Sequence, residues 1–182
     1  MAGLARVVGP AGQELAPIAD AFVSGEFVLS PVQRWFLERG VAEPGWFSQS
    51  VVLEALPGAE EEVWQHAVDA VLDAHPALRS RFAQNEDGAW SGTVVEHEDG
   101  HVLTWIDVPA GLSDKAAWEW TRAWARDEAE TGFDLASGPL VRVVAFDRGE
   151  AASQVIWIAA HHLVIDAVSW PALIDDLTRR DA

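Results

Sequence analysis

Two adjacent histidines, His161 and His162, close the apolar run "QVIWIAA" of residues 154–160, and Asp166 follows four residues after the second. The chain has only 6 histidines, so two at one spot are a candidate for chemistry. Histidine titrates nearer neutrality than any other side chain, which suits a general base or acid. Histidine and aspartate also ligate metals. No glutamate stands at helical spacing from the pair and no third histidine is near it in sequence, which weighs against a metal. A pair packed and hydrogen-bonded at a strand end is the plain structural alternative. Successive strand residues point to opposite faces, so only one of the two can enter a given cavity. An aspartate four residues on is poorly placed for a His–Asp dyad within one turn of chain. Asp166 is expected to pair elsewhere and hold the loop.

The elements that must position this segment can be read along the chain. Residues 1–28 carry Gly9-Pro10, Gly12 and Pro17 with weak periodicity, a leader or linker with room for one short strand. "LSPVQRWFLERG", residues 29–40, predicts a helix. Ser30 is its N-cap, Pro31 suits the first helical position, Gln33 completes a capping-box spacing and Gly40 ends it. Residues 48–56 read as a β-branched strand. In the next segment Val63/Trp64, Ala67/Val68 and Val71/Leu72 recur every four residues, one apolar helical face that Pro76 stops. "LRSRFAQ" is expected to be extended. Two further strands, "AWSGTVVEH" and "VLTWIDV", flank the turn-like residues 98–100. A second long helix runs from Ser113 to Gly132, its tryptophans read as core. "PLVRVVAFD" and "SQVIWIAA" predict two buried strands, and "VSWPALIDDLTRR" a final amphipathic helix with Pro171 in its first turn. This mixture predicts an α/β (α+β) layered sandwich, a mixed sheet with two or more long helices on one of its faces.

Composition narrows the function classes. At 182 residues and 49% hydrophobic, the chain suits one domain with a sizeable core. Acidic residues outnumber basic ones 29 to 12, a formal net charge of −17, which argues against nucleic acid and against an anionic membrane surface. There is no cysteine, so disulfides, thiolate zinc sites and cysteine nucleophiles are excluded. No stretch reads as a signal peptide or as the roughly 18 apolar residues of a membrane span, so a cytoplasmic protein is expected.

The segment "HHLVIDAVSW" resembles the His-His-x-x-x-Asp-Gly motif of nonribosomal peptide synthetase condensation-type domains, with Ala167 at the glycine position. "LSPVQRWFLERG" is similar to the first core motif of that family. "HPALRSRF" is similar to the second, His-Glu-x-Leu-Arg-Thr-x-Phe, with Pro76 replacing the glutamate. "FDLASGPLVRV", residues 133–143, matches a further common segment. Four motifs in register across residues 29–170 are specific, where the histidine motif alone is shared with related acyltransferases. "PVQRWF", "FSQSVVLEA" and "VSWPALIDDL" resemble the epimerization branch more than the peptide-bond-forming one.

The resemblance implies a chloramphenicol-acetyltransferase-like lobe over residues 29–182, the N-terminal lobe of a two-lobed domain. It implies a substrate carried as an aminoacyl or peptidyl thioester on the phosphopantetheine arm of a peptidyl carrier protein, with no cofactor bound directly and no metal. His162 matches the catalytic histidine, which removes or returns the Cα proton. His161 would orient the loop, and Asp166 would form a buried scaffold ion pair with Arg79. The opposing acid/base glutamate of the family sits in a Glu-Gly-His-Gly-Arg-Glu segment of the second lobe, which these 182 residues do not contain. Little or no epimerization is therefore expected of them alone. The implied partners are the carrier protein and neighbouring synthetase domains or a second lobe, with self-association a further option. Two other readings stay open: a non-catalytic lobe kept as a structural or protein-interaction module, and a small acyltransferase with its site between subunits.

Overall fold

The computed structural model describes residues 24–149 and 152–178. Most of the expected leader lies outside them, but Gly25–Phe27 form a short strand, β1. Helix α1 spans Pro31–Glu38 and opens as its sequence predicts. Gln33 N–H donates to the Ser30 hydroxyl while the Gln33 side chain accepts from the Ser30 N–H, a closed capping box. A 3₁₀ turn at Pro44–Trp46 leads into β2, Ser48–Ala55, and α2 covers Glu61–Ala74. A second 3₁₀ turn, Pro76–Arg79, replaces the start of the expected extended segment, and β3 begins only at Ser80, running to Gln84. Then come β4 (Trp90–Val94), β5 (Leu103–Asp107), α3 (Asp114–Ala129, capped by Ser113), β6 (Val141–Asp147), β7 (Gln154–His161) and α4 (Ser169–Thr178).

There are two sheets among the described residues. The larger has the order β2-β7-β6-β5, and the smaller β1-β4-β3. The strands on either side of residues 98–100 therefore do not form a hairpin: β4 joins the small sheet, while β5 runs parallel to β6 in the large one. A parallel pair needs a crossover, which α3 provides. At the crossing between sheets Arg81 grips Glu98 with a two-pronged ion pair at 2.6 and 2.8 Å, with the Glu98 side chain only 2% exposed.

Two helices share one face of the large sheet, and the structure adds cover on the other face. α2 and α4 cover one face of the large sheet, against Ile156, Ile158 and Ala160 of β7. α1, α3 and Phe82 of the small sheet pack against the other face, onto Val155, Trp157 and Ala159. The cause lies in the strand itself. Every residue of β7 is buried, and a strand apolar on both faces needs cover on both. β7 is central, so its end is held from two sides, and the histidine pair sits at that end. No described helix is long and apolar enough to cross a membrane.

Candidate functional site

Strand alternation sends the two histidines opposite ways. His161 is the last residue of β7 and shares the face of Trp157 and Ala159. It is 0% exposed, edge-on to Phe36, Phe47 and Phe133. Both ring nitrogens have backbone partners. Nδ1 accepts the Leu163 N–H at 3.1 Å, so the proton is on Nε2, which donates to the Pro44 carbonyl at 2.8 Å. The next residue, Gly45, packs on the Phe133 backbone: its carbonyl accepts the Phe133 N–H at 2.8 Å, and a Cβ there would lie 2.1 Å from the Phe133 carbonyl oxygen. Burial holds the His161 imidazole below its ordinary titration range, against an opposing pull from the Pro44 carbonyl.

His162 begins the turn after β7 and is half-buried. Its backbone N–H donates to the Phe47 carbonyl at 2.8 Å, and its ring stacks on Phe47 with centroids 4.7 Å apart. Nδ1 lies 2.8 Å from the Ile165 carbonyl, an acceptor only, so Nδ1 carries the proton. Nε2 is left with its lone pair, 3.0 Å from the side-chain amide of Gln49. The neighbouring histidines are thus held in opposite neutral tautomers, His161 protonated at Nε2 and His162 at Nδ1.

The turn that follows is pinned by distant elements. The Gln33 amide of α1 donates to the Leu163 carbonyl at 2.9 Å. Asp166 is exposed and closes the start of α4, accepting from the backbone N–H groups of Val168 and Ser169 and from the Ser169 hydroxyl at 2.7–3.0 Å. The Ser169 hydroxyl, then its N–H, hold the carboxyl below the usual carboxylate range. Asp166 thus binds the nearest helix N-terminus.

The expected ion pair between Asp166 and Arg79 is not formed. Arg79 is 1% exposed and buried elsewhere, at the end of the 3₁₀ turn beneath α2. Its Nε donates to the Leu72 carbonyl at 3.0 Å, in the last turn of α2, where helical carbonyls lack partners of their own. Its Nη1 reaches the carbonyls of Val95 and, at 2.6 Å, Glu96. Backbone acceptors within reach of the turn thus take the place of a carboxylate that lies across the sheet end.

The histidine pair, Asp166 and Arg79 therefore separate. His162 and Asp166 line one cleft, with His161 behind it and Arg79 outside it. The cleft holds about 430 Å³ and is walled by Val32, Trp35 and Phe36 of α1, by Phe47, and by residues 162–166. Large apolar side chains of its wall are exposed: Val32 68%, Trp35 57% and Phe47 45%. No group of three or more His, Cys, Asp or Glu side chains arranged for a metal occurs among the described residues. Sequence reasoning misses Gln49 and the indole of Trp170. A signal for Gln49 is present: it has the parity of Val51 and Leu53 in β2, a polar residue in an apolar row.

A model of the condensation domain family matches residues 23–180. One of the linear gramicidin synthase proteins of Brevibacillus parabrevis is 34% identical over 163 residues, covering 88% of this chain and 2% of that protein. A plipastatin synthase protein of Bacillus subtilis (strain 168) is 32% identical over 165 residues, covering 87% of this chain and 4% of that protein. The crystal structure of the epimerization domain from the third module of tyrocidine synthetase B matches with a TM-score of 0.74 at 27% identity, over 87% of this chain and 35% of that one. The starter condensation domain of rhizomide synthetase matches in fold, with a TM-score of 0.67 at 17% identity, over 85% of this chain and 36% of that one. The chain thus spans a few per cent of the curated relatives and about a third of the solved domains.

Proposed function

The chain belongs to the condensation domain family, and from that premise we propose that it is the histidine-bearing, N-terminal half of an epimerization-type domain. Its layered α/β architecture is the chloramphenicol-acetyltransferase-like fold of such domains. The observation that carries the reading is His162: a neutral imidazole at the wall of an open cleft, with Nδ1 bonded to backbone and Nε2 the hydrogen-bond acceptor of an exchangeable side-chain amide. That is the protonation state a general base needs before reaction.

The substrate is an aminoacyl or peptidyl thioester on the phosphopantetheine arm of a carrier protein, drawn into the apolar cleft. His162 Nε2 takes the Cα proton, and the electron pair of the broken C–H bond moves into the thioester carbonyl as an enolate. An acid on the opposite face of the carbon, supplied by a second lobe, returns a proton there and inverts the centre. The exposed Val32, Trp35 and Phe47 of the cleft wall are the surface against which that lobe closes, shutting water from the enolate. The 182 residues alone then hold one of the two proton-transfer groups and invert little or nothing.

A chiral analysis of product released from an L-aminoacyl-loaded carrier protein tests this. Inversion is expected when the chain is joined to a second lobe. His162→Ala in that protein should lower the rate by roughly 10²–10⁴-fold, the usual contribution of one positioned acid or base. Inversion untouched by His162→Ala rejects the role of the base. Unaltered product stereochemistry with and without the chain favours the non-catalytic interaction lobe, and robust inversion by the isolated 182 residues rejects the two-lobe requirement.

A further inference from the structure

The geometry points to Gln49 as the positioning residue of His162: it selects the tautomer of the base and covers its lone pair until substrate displaces it. This rests on the reading of His162 as a base and goes beyond it by naming what holds that base ready.

The direction of each hydrogen bond follows from chemistry. The indole N–H of Trp170 can only donate, and it lies 2.9 Å from Gln49 Oε1. That contact fixes which end of the amide faces which way. The Gln49 NH₂ is thereby turned toward His162, 3.0 Å from Nε2. An amide NH₂ can only donate, so Nε2 must accept. The Ile165 carbonyl imposes the matching demand at the other ring nitrogen, where Nδ1 must donate. A chain of donors runs one way, from Trp170 through Gln49 and His162 to Ile165, and only the Nδ1–H tautomer of His162 completes it.

The elements explain why the chain is rigid. Gln49 lies near the start of β2, paired with Ala160 of β7 one residue from the histidines. Trp170 is buried in the first turn of α4. The base is therefore referenced to a strand and to a helix, not only to its own turn. The same bond means that the lone pair is occupied in the resting protein. A substrate Cα–H must take the place of the Gln49 amide, and once Nε2 has gained a proton the amide must withdraw, because two donors then face each other.

Nitrogen-15 correlation spectra of the histidine rings of this chain test the proposal without any turnover, so its failure and the failure of the epimerase reading are separable. In the wild-type chain at pH 8 His162 should show a protonated Nδ1 and an unprotonated Nε2, opposite to His161. A protonated Nε2 on His162 overturns the proposal. Gln49→Glu puts an acceptor where the donor was, so Nε2 should become protonated at that pH, and an unchanged Nε2 overturns it. Gln49→Leu leaves Nε2 uncovered. Its carbethoxylation by diethyl pyrocarbonate should quicken about fivefold, the worth of one neutral hydrogen bond, and an unchanged rate overturns the proposal. The His161 ring signals, set by Pro44 and Leu163, report in each variant that the fold is retained.

Discussion

His161 and His162 are joined by one peptide bond, yet the end of β7 assigns them to two regions with opposite properties. The His161 side is closed: aromatic rings surround it and both ring nitrogens are spent on backbone groups. The His162 side is open, with a cleft beside it and a side-chain amide as the partner of its Nε2. Identical side chains therefore sit in different settings, one enclosed by the core and one beside a cleft, and only the second is placed for the proposed role of base. What separates them is the alternation of a strand, followed by the different covers on its two faces.

The largest effect expected from breaking this contrast is on stability. His161→Ala removes a buried ring and leaves the Pro44 carbonyl and the Leu163 N–H without partners, a loss of about 2–4 kcal/mol. His162→Ala should stay below about 1 kcal/mol, since its ring is half in solvent. Denaturant unfolding of the two variants measures the difference, and equal losses would mean that the two sides are not distinct.

The same contrast recurs between Arg79 and Asp166, and it can be sharpened by a double-mutant cycle. Arg79→Met deprives buried carbonyls of a charged donor and should cost about 2–3 kcal/mol. Asp166→Ala affects only the exposed start of α4. Because the two residues bind different groups, the losses should add in the double variant. A coupling well above error would restore the ion pair that the structure replaces with backbone contacts.

The smallest effect is the response to acid. In the unfolded chain an imidazole titrates near 6.5, and burial holds His161 lower when folded. The unfolded state then takes up the proton first as pH falls. The stability from this group is complete above about pH 6.5 and is lost as pH drops from there through the folded-state value. The unfolding midpoint should fall between about pH 7.5 and 5.5, and this fall should shrink in His161→Gln. An identical fall in the variant would assign it to other groups.

Local chemistry is legible wherever neighbours in sequence are also partners in space. The capping box of Ser30 and Gln33, the stop at Pro76, the Ser113 cap and the opposite facing of His161 at the end of β7 and His162 just past it all depend on residues within a few positions. Resemblance of four short motifs likewise suffices for the family and for His162 as the residue to watch. The two-sided burial of β7 is written in its unbroken apolar run, although such a run does not say which elements supply the two covers.

What the sequence alone could not decide are the partnerships across long separations. Whether Arg79 meets Asp166 or the carbonyls beneath α2 depends on where a 3₁₀ turn lands relative to the end of a sheet. Whether β4 and β5 pair with each other or part into two sheets depends on competition among strands. The donor chain through Trp170, Gln49 and His162 joins residues separated by more than 100 positions, with |i−j| of 121 and 113. Amino-acid types state what each group can donate or accept. Only the tertiary structure, by setting the distances, determines which of those bonds is made, and with it which nitrogen of His162 carries the proton.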